Sequence, residues 1–229
     1  MQDIILSIVD SFDPPSAQSN FVVFKSDCPA IPMAEGGKYF KKCKQYSKDY
    51  NAYVVTGLMN IADFLCICMF GPNGKIVGAQ RALFLAKDNR EHYKKPTNLA
   101  LFDTPYGKVF LCVDSDIYNP EVQRYARLSG CEILVSSQWI PQEEYSDQRF
   151  FTAGWGAAQT NNLMVACANN NSVAACAPFL ATTDNTGFII KPTNSGFATF
   201  NVSRLNSLHS DYHSSHFNIE LFESHRNLL

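Results

Sequence analysis

Four residues, Gly71-Pro72-Asn73-Gly74, set the main constraint on this chain. Proline and an Asn-Gly pair together make a tight reversal, because proline pre-sets φ and glycine accepts positive φ. Apolar runs flank the turn: Ala62 to Phe70 leads in and Lys75 to Leu85 leads out. The segment therefore predicts a β-hairpin, and a hairpin needs a larger sheet to join.

The rest of the chain supplies that sheet. Short apolar runs at Phe21-Val22-Val23-Phe24, Tyr53–Gly57, 109–114, Ile133–Ser137, Leu163–Ala168 and Phe197–Val202 predict strands. Asp184-Asn185-Thr186-Gly187 predicts a second hairpin turn. Helical spacing appears between them. Tyr39, Cys43 and Tyr46 share one face of a helix from Lys38 to Tyr50, whose lysines Lys38, Lys41, Lys42, Lys44 and Lys48 read as a solvated face. Residues 120–129, stopped by Gly130, and 147–162 also predict helices. Ile4, Ile5, Ile8, Val9 and Phe12 fit helical spacing too, so residues 2–12 are expected to be an amphipathic helix ended by Asp13-Pro14-Pro15-Ser16. Strands outnumber helices and helices lie between them. The expectation is α/β: sheets covered by helices in one domain.

Composition narrows the function classes. With 229 residues and 46% hydrophobic content the chain can bury one large core. Its net charge of −2 argues against a nucleic-acid partner held by a basic surface. No apolar run approaches the roughly 20 residues of a membrane span. The N-terminus lacks the pattern of a signal peptide. The eight cysteines lie mostly inside apolar runs such as Phe64–Phe70, as buried free thiols do in a reducing compartment. An intracellular location is expected, the cytoplasm before an organelle. Asn170-Asn171-Ser172 and Asn201-Val202-Ser203 match a glycosylation sequon, which has no meaning without secretion. His209, His213, His216 and Asp211 have spacing that could gather metal ligands on a helix, but no second cluster completes a site. No metal or cofactor is expected.

The run from Phe102 to Asp116, followed by Pro120-Glu121, resembles the nucleophile segment of the nitrilase, or carbon-nitrogen hydrolase, superfamily, roughly F-D-T-P-F-G-x-V-G-x-x-I-C-Y-D-x-x-x-P-E. Further segments follow in the family's order. Gly74 to Leu85 resembles G-x-I-V-G-x-Y-R-K-x-H-L, and Tyr93 to Asn98 resembles Y-F-x-P-G-N. Glu132 to Trp139 resembles the strand leading to P-S-A-W; Ala158, Asn161 and Asn169 fit A-R-A-x-E-N…A-A-N. Phe179 to Lys191 resembles the family's late hairpin. The resemblance implies a four-layer α-β-β-α sandwich over residues 1–203, with 204–229 as a C-terminal tail for dimer or partner packing. It begins near the family's first helix, so the usual first strand is expected to be missing.

Hydrolysis in this family uses a cysteine nucleophile, a glutamate base and a lysine that holds the developing oxyanion. Laid on the motifs, the cysteine position holds Asp114. The glutamate position after Val22-Val23-Phe24 holds Ser26. The lysine position after Arg81 holds Ala82. Substitute groups are weak. Cys112 lies two residues before Asp114 on the same strand side but deeper. Asp27 adjoins Ser26. Glu91 lies one position off the family's auxiliary carboxylate. Arg81 points away from Ala82, and the arginine and glutamate of A-R-A-x-E-N are replaced by Ala157 and Thr160. The reading is a catalytically inactive member acting as a structural or regulatory subunit, a homo-oligomer or part of a larger complex. Its expected contact surface is helices 120–129 and 147–162 with the tail, including Phe150, Phe151 and Trp155. The alternatives are an active amidase-type hydrolase with a displaced nucleophile and a small-molecule sensor using the pocket.

Overall fold

Residues 3–16, 18–85, 91–94, 99–206 and 208 are described by a computed structural model of the chain. The first element corrects an expectation. Ile4–Val9 is a strand, β1, not a helix. Residues four apart share a face in a helix and in a strand alike, so Ile4 with Ile8 and Ile5 with Val9 satisfied both periods. The side chains decide it: Ile4, Leu6 and Ile8 are buried in one core, the period of two that β-branched residues favour. β1 runs parallel to β2 (Phe21–Phe24). The strand expected to be missing is therefore present. It is a helix between β1 and β2 that is lacking among the described residues.

The chain continues through α1 (Met33–Asp49), β3 (Tyr53–Val55), β4 (Met59–Ile61), β5 (Phe64–Phe70) and β6 (Ile76–Arg81). β5 and β6 pair antiparallel around the Gly71–Gly74 turn, where Gly74 has φ +73°. Next come β7 (Leu101–Thr104), β8 (Gly107–Val113), α2 (Pro120–Leu128), β9 (Ile133–Ser137) and α3 (Asp147–Asn161). β10 (Met164–Ala168), β11 (Val173–Cys176), β12 (Phe188–Thr193) and β13 (Gly196–Phe200) follow. One sheet has the order β13-β1-β2-β3-β5-β4, with β6 on the other side of β5. The second has the order β12-β11-β10-β9-β8-β7. β4 and β11 carried no sequence signal distinct from their neighbours. Both are short, and β4 follows β3 after only three residues.

Alternation along the strands builds the layers. Ile8, Val23, Val55 and Ile67 of the first sheet meet Val109, Leu111, Val113 and Val135 of the second in a core between the sheets. Val22, Phe24, Val54 and Phe70 point the other way, beneath Cys43 and Tyr46 of α1. Phe110, Cys112, Leu134 and Val165 point away from the central core, beneath Val122 and Ala126 of α2 and Phe150 and Ala157 of α3. The result is helix, sheet, sheet, helix, as expected. No helix among the described residues is long and apolar enough to cross a membrane.

Candidate functional site

β8 ends at Val113 and the backbone turns sharply. Asp114 has φ +50°, in the left-handed region where a non-glycine residue is uncommon. A short 3-10 turn, Asp114–Tyr118, then leads into α2, with Pro120 in the first helical turn. The Asp114 carboxylate accepts the Trp139 N–H at 3.4 Å and the Ser115 N–H. Burial outweighs these bonds and pushes its pKa up to about 6.

Asp116 ties this elbow to the opposite sheet. Its buried carboxylate accepts three backbone N–H groups: Phe84 at 2.7 Å, Leu83 at 3.0 Å and Val113 at 3.3 Å. Ser115 Oγ donates to the Phe84 carbonyl at 2.8 Å. These bonds hold the residues just after Ala82 against those around Asp114. Desolvation raises the Asp116 carboxyl to about 7 despite the three donors, and the neighbouring Asp114 adds to the shift.

Ser26 approaches the same end from β2. Its Oγ lies 2.9 Å from Ser137 Oγ and accepts the Leu58 N–H at 2.9 Å. Ser137 pairs with Val113 across β9 and β8. The chain of contacts from Ser26 through Ser137 and Val113 to Asp116 and Leu83 thus gathers all three segments. Among the described residues, Asp114 and Ser26 line separate cavities. Asp114 lines one of about 90 Å³ with Tyr118, Gln138, Trp139 and Arg149. Ser26 lines another of about 230 Å³ with Asp27, Cys28 and Tyr39. Ala82 is buried and its methyl packs in the core between the sheets.

The substitute groups are placed as follows. Cys112 lies within β8, two residues before Asp114. It is fully buried beneath α2 and α3, and burial, then the Asp116 carboxylate, push its thiol well up. Asp27 is exposed at the rim of the Ser26 cavity, with its carboxyl raised by partial burial and by Asp10. Glu91 is exposed. Arg81 stacks on Phe64, 3.9 Å from the ring centroid, away from Ala82. Ala157 is buried and Thr160 exposed on α3. Phe150 is core, Phe151 half-buried, and Trp155 is 37% exposed with its Nε1 donating to the Thr186 carbonyl at 2.9 Å. Residues 95–98 of the Tyr93–Asn98 motif and His209, Asp211, His213 and His216 lie outside the described residues.

Two participants escaped the sequence reading. Ser137 was matched only as part of a motif, although it is the partner of Ser26. Tyr93 is half-buried against the central core, and its phenol is raised first by burial and then by Asp114. Its place in the Y-F-x-P-G-N resemblance was the available signal.

Comparison with known proteins agrees with this architecture. Residues 11–204 match the family model described as carbon-nitrogen hydrolase. A probable nitrilase of Schizosaccharomyces pombe is 29% identical over 123 residues, 50% of this chain and 44% of that protein. The match thus spans less than half of that relative's length. A branch 10 member of the nitrilase superfamily from Saccharomyces cerevisiae superposes with a TM-score of 0.75 at 11% identity, covering 94% of this chain and 96% of that one. A mutant of the amidase from Nesterenkonia sp. AN1, with the acetamide moiety of fluoroacetamide added covalently at its active site cysteine, superposes with a TM-score of 0.66 at 9% identity. It is covered over 91% of this chain and 96% of its own. With the family match spanning most of its length and the layered fold in place, the chain belongs to the carbon-nitrogen hydrolase family, the nitrilase superfamily.

Proposed function

We infer that this chain is a non-hydrolysing member of its superfamily that acts as a structural or regulatory subunit. The observation that carries the reading is the elbow after β8. The nitrilase motif sets the nucleophilic cysteine there, and the residue present is Asp114, at φ +50°. The neighbouring amidase forms its adduct through a cysteine. A carboxylate attacking an amide would instead give a mixed anhydride with a poor leaving group. The supporting positions agree. A serine hydroxyl bonded to Ser137 cannot take the place of a glutamate base, and the Ala82 methyl offers no positive charge to an oxyanion. Cys112 has no access to solvent. A thiol held that far up is overwhelmingly protonated and a poor nucleophile.

The Asp114 cavity, about 90 Å³, is also small beside ligand pockets of ~300 Å³ and more. This disfavours a sensor role. A surface role finds support on α2 and α3. Tyr125 and Leu128 on α2, Trp155 on α3 and the neighbouring Phe179 and Leu180 are all exposed apolar groups. Exposed groups of this kind suit self-association or a larger complex, with the 204–229 tail contributing. All eight cysteines are free, which fits a reducing compartment.

Intact-mass measurement after incubation with fluoroacetamide tests the chemistry. No adduct is expected on Asp114 or Cys112. Rapid labelling of either residue would overturn the reading. Light scattering tests the surface: wild type should associate at tens of micromolar, and Tyr125→Glu with Trp155→Gln should dissociate it without loss of helix signal. A strictly monomeric wild type would remove the homo-oligomer.

A further inference from the structure

The lysines of α1 are arranged in a regular pattern. Lys41, Lys44 and Lys48 follow one another at spacings of three and four, so they form one stripe along the helix. No acidic residue lies three or four positions from any of them; Glu35 and Asp49 fall on the opposite flank. None of the three takes part in an ion pair among the described residues. Like charges at these spacings repel and weaken the helix they sit on. The stripe gains a fourth member from the β5–β6 hairpin. Lys48 lies across Gly74, whose missing side chain leaves room for the lysine stem at the turn, next to Lys75.

The stripe borders a cleft. Phe40 of α1, Phe70 of β5 and Ile76 of β6 form an apolar floor between the helix and the hairpin, and Lys44, Lys48 and Lys75 surround it. The cleft encloses about 400 Å³. The Phe40 and Phe70 rings meet edge to face with centroids 4.7 Å apart, and Ile76 is 53% exposed. In a chain of net charge −2, this is a local concentration of positive charge around the exposed Ile76 and the half-buried Phe40, with Phe70 fully buried beneath them.

We propose that the cleft between α1 and the β5–β6 hairpin docks an acidic polypeptide segment carrying an apolar anchor residue. Charge complementarity selects the acid, and the apolar surface of Ile76 and Phe40 selects the anchor. The spacing favours a polypeptide over a free phosphate. Lys41 and Lys48 are about 10 Å apart along the helix axis. That is wider than one phosphate, but it suits carboxylates two or three residues apart on an extended segment. The turn also offers no nest of free N–H groups. Gly71 N–H donates to the Lys75 carbonyl, Gly74 N–H to the Gly71 carbonyl and Lys75 N–H to Asn73 Oδ1. The cleft lies on the α1 side of the sandwich, away from α2 and α3. Its test reads no hydrolysis, so it stands or falls separately from the inactive-subunit reading.

The experiment is fluorescence anisotropy with a fluorescein-labelled dodecapeptide alternating glutamate pairs with leucine and phenylalanine. Saturable binding is expected, weakening at least tenfold between 50 and 300 mM salt and at least tenfold in Lys44→Glu/Lys48→Glu. Ile76→Ser should weaken it severalfold. Lys108→Glu, on the other sheet, should leave it unchanged. Circular dichroism confirms that each exposed-site variant is folded. Several results would overturn the proposal: no binding at 100 µM, equal binding of an all-glutamate peptide, or equal loss in Lys108→Glu. Tighter capture by phosphatidylserine vesicles or double-stranded RNA than by the peptide would also overturn it, assigning the stripe to a membrane or nucleic acid.

Discussion

Replacing Asp114 by asparagine should stabilise the protein at neutral pH and do nothing in acid. The carboxyl is moved from 3.8 to about 6, chiefly by burial. At pH well below 4 it is protonated in folded and unfolded chains alike and contributes nothing. Between about 4 and 6 the folded chain keeps a proton that the unfolded chain has released, so stability falls as pH rises. Above about 6 the whole penalty is present. A shift of this size corresponds to about 3 kcal/mol, which the partial exposure of the side chain reduces to about 2 kcal/mol. Asparagine suits the site for two reasons. It tolerates positive φ, and its Oδ1 can still accept the Trp139 N–H. Urea unfolding of wild type and Asp114→Asn at pH 4, 6 and 8 measures the effect. The variant should gain about 2 kcal/mol at pH 8, or roughly 4–8 °C in Tm, and within about 0.5 kcal/mol of nothing at pH 4. A difference that does not change with pH, or a variant less stable at pH 8, would refute the burial argument.

Two further expectations test the frame that holds the elbow. Asp116→Ala removes the acceptor of three buried N–H groups and should cost about 2–4 kcal/mol in the same assay at pH 8, despite relieving a buried acid. A loss under 1 kcal/mol would mean that water satisfies those donors. Gly78→Ala should cost about 1–3 kcal/mol, because its Cβ would collide with the Phe102 ring across the two sheets. An unchanged midpoint would show that Phe102 can move aside.

Much of the fold was legible because its signals are local. Proline and Asn-Gly at 71–74 fix a reversal whatever surrounds them, and Gly130 ends α2 through its own freedom at φ +98°. Where a period was ambiguous, it misled. Ile4, Ile5, Ile8 and Val9 fit two periods, and only pairing with β2 and β13 decides between them. The site was legible as an ordered set of motifs, which put Ser26, Ala82 and Asp114 into segments that the fold gathers at one end. What those residues touch was not legible. The Ser26–Ser137 contact joins residues 111 positions apart, and the Asp116 bonds reach back more than thirty. Nothing in the sequence marks the positive φ that Asp114 adopts after β8 either.

The central claim is that the position after β8 no longer performs nucleophilic chemistry. Ammonia release from a panel of primary amides, N-carbamoyl amines and nitriles, followed with the purified native protein at pH 6 to 8, tests it most directly. The expected result is release indistinguishable from buffer for every compound. Saturable release that disappears in Asp114→Ala or in Cys112→Ala would contradict the claim and identify the residue that performs the reaction.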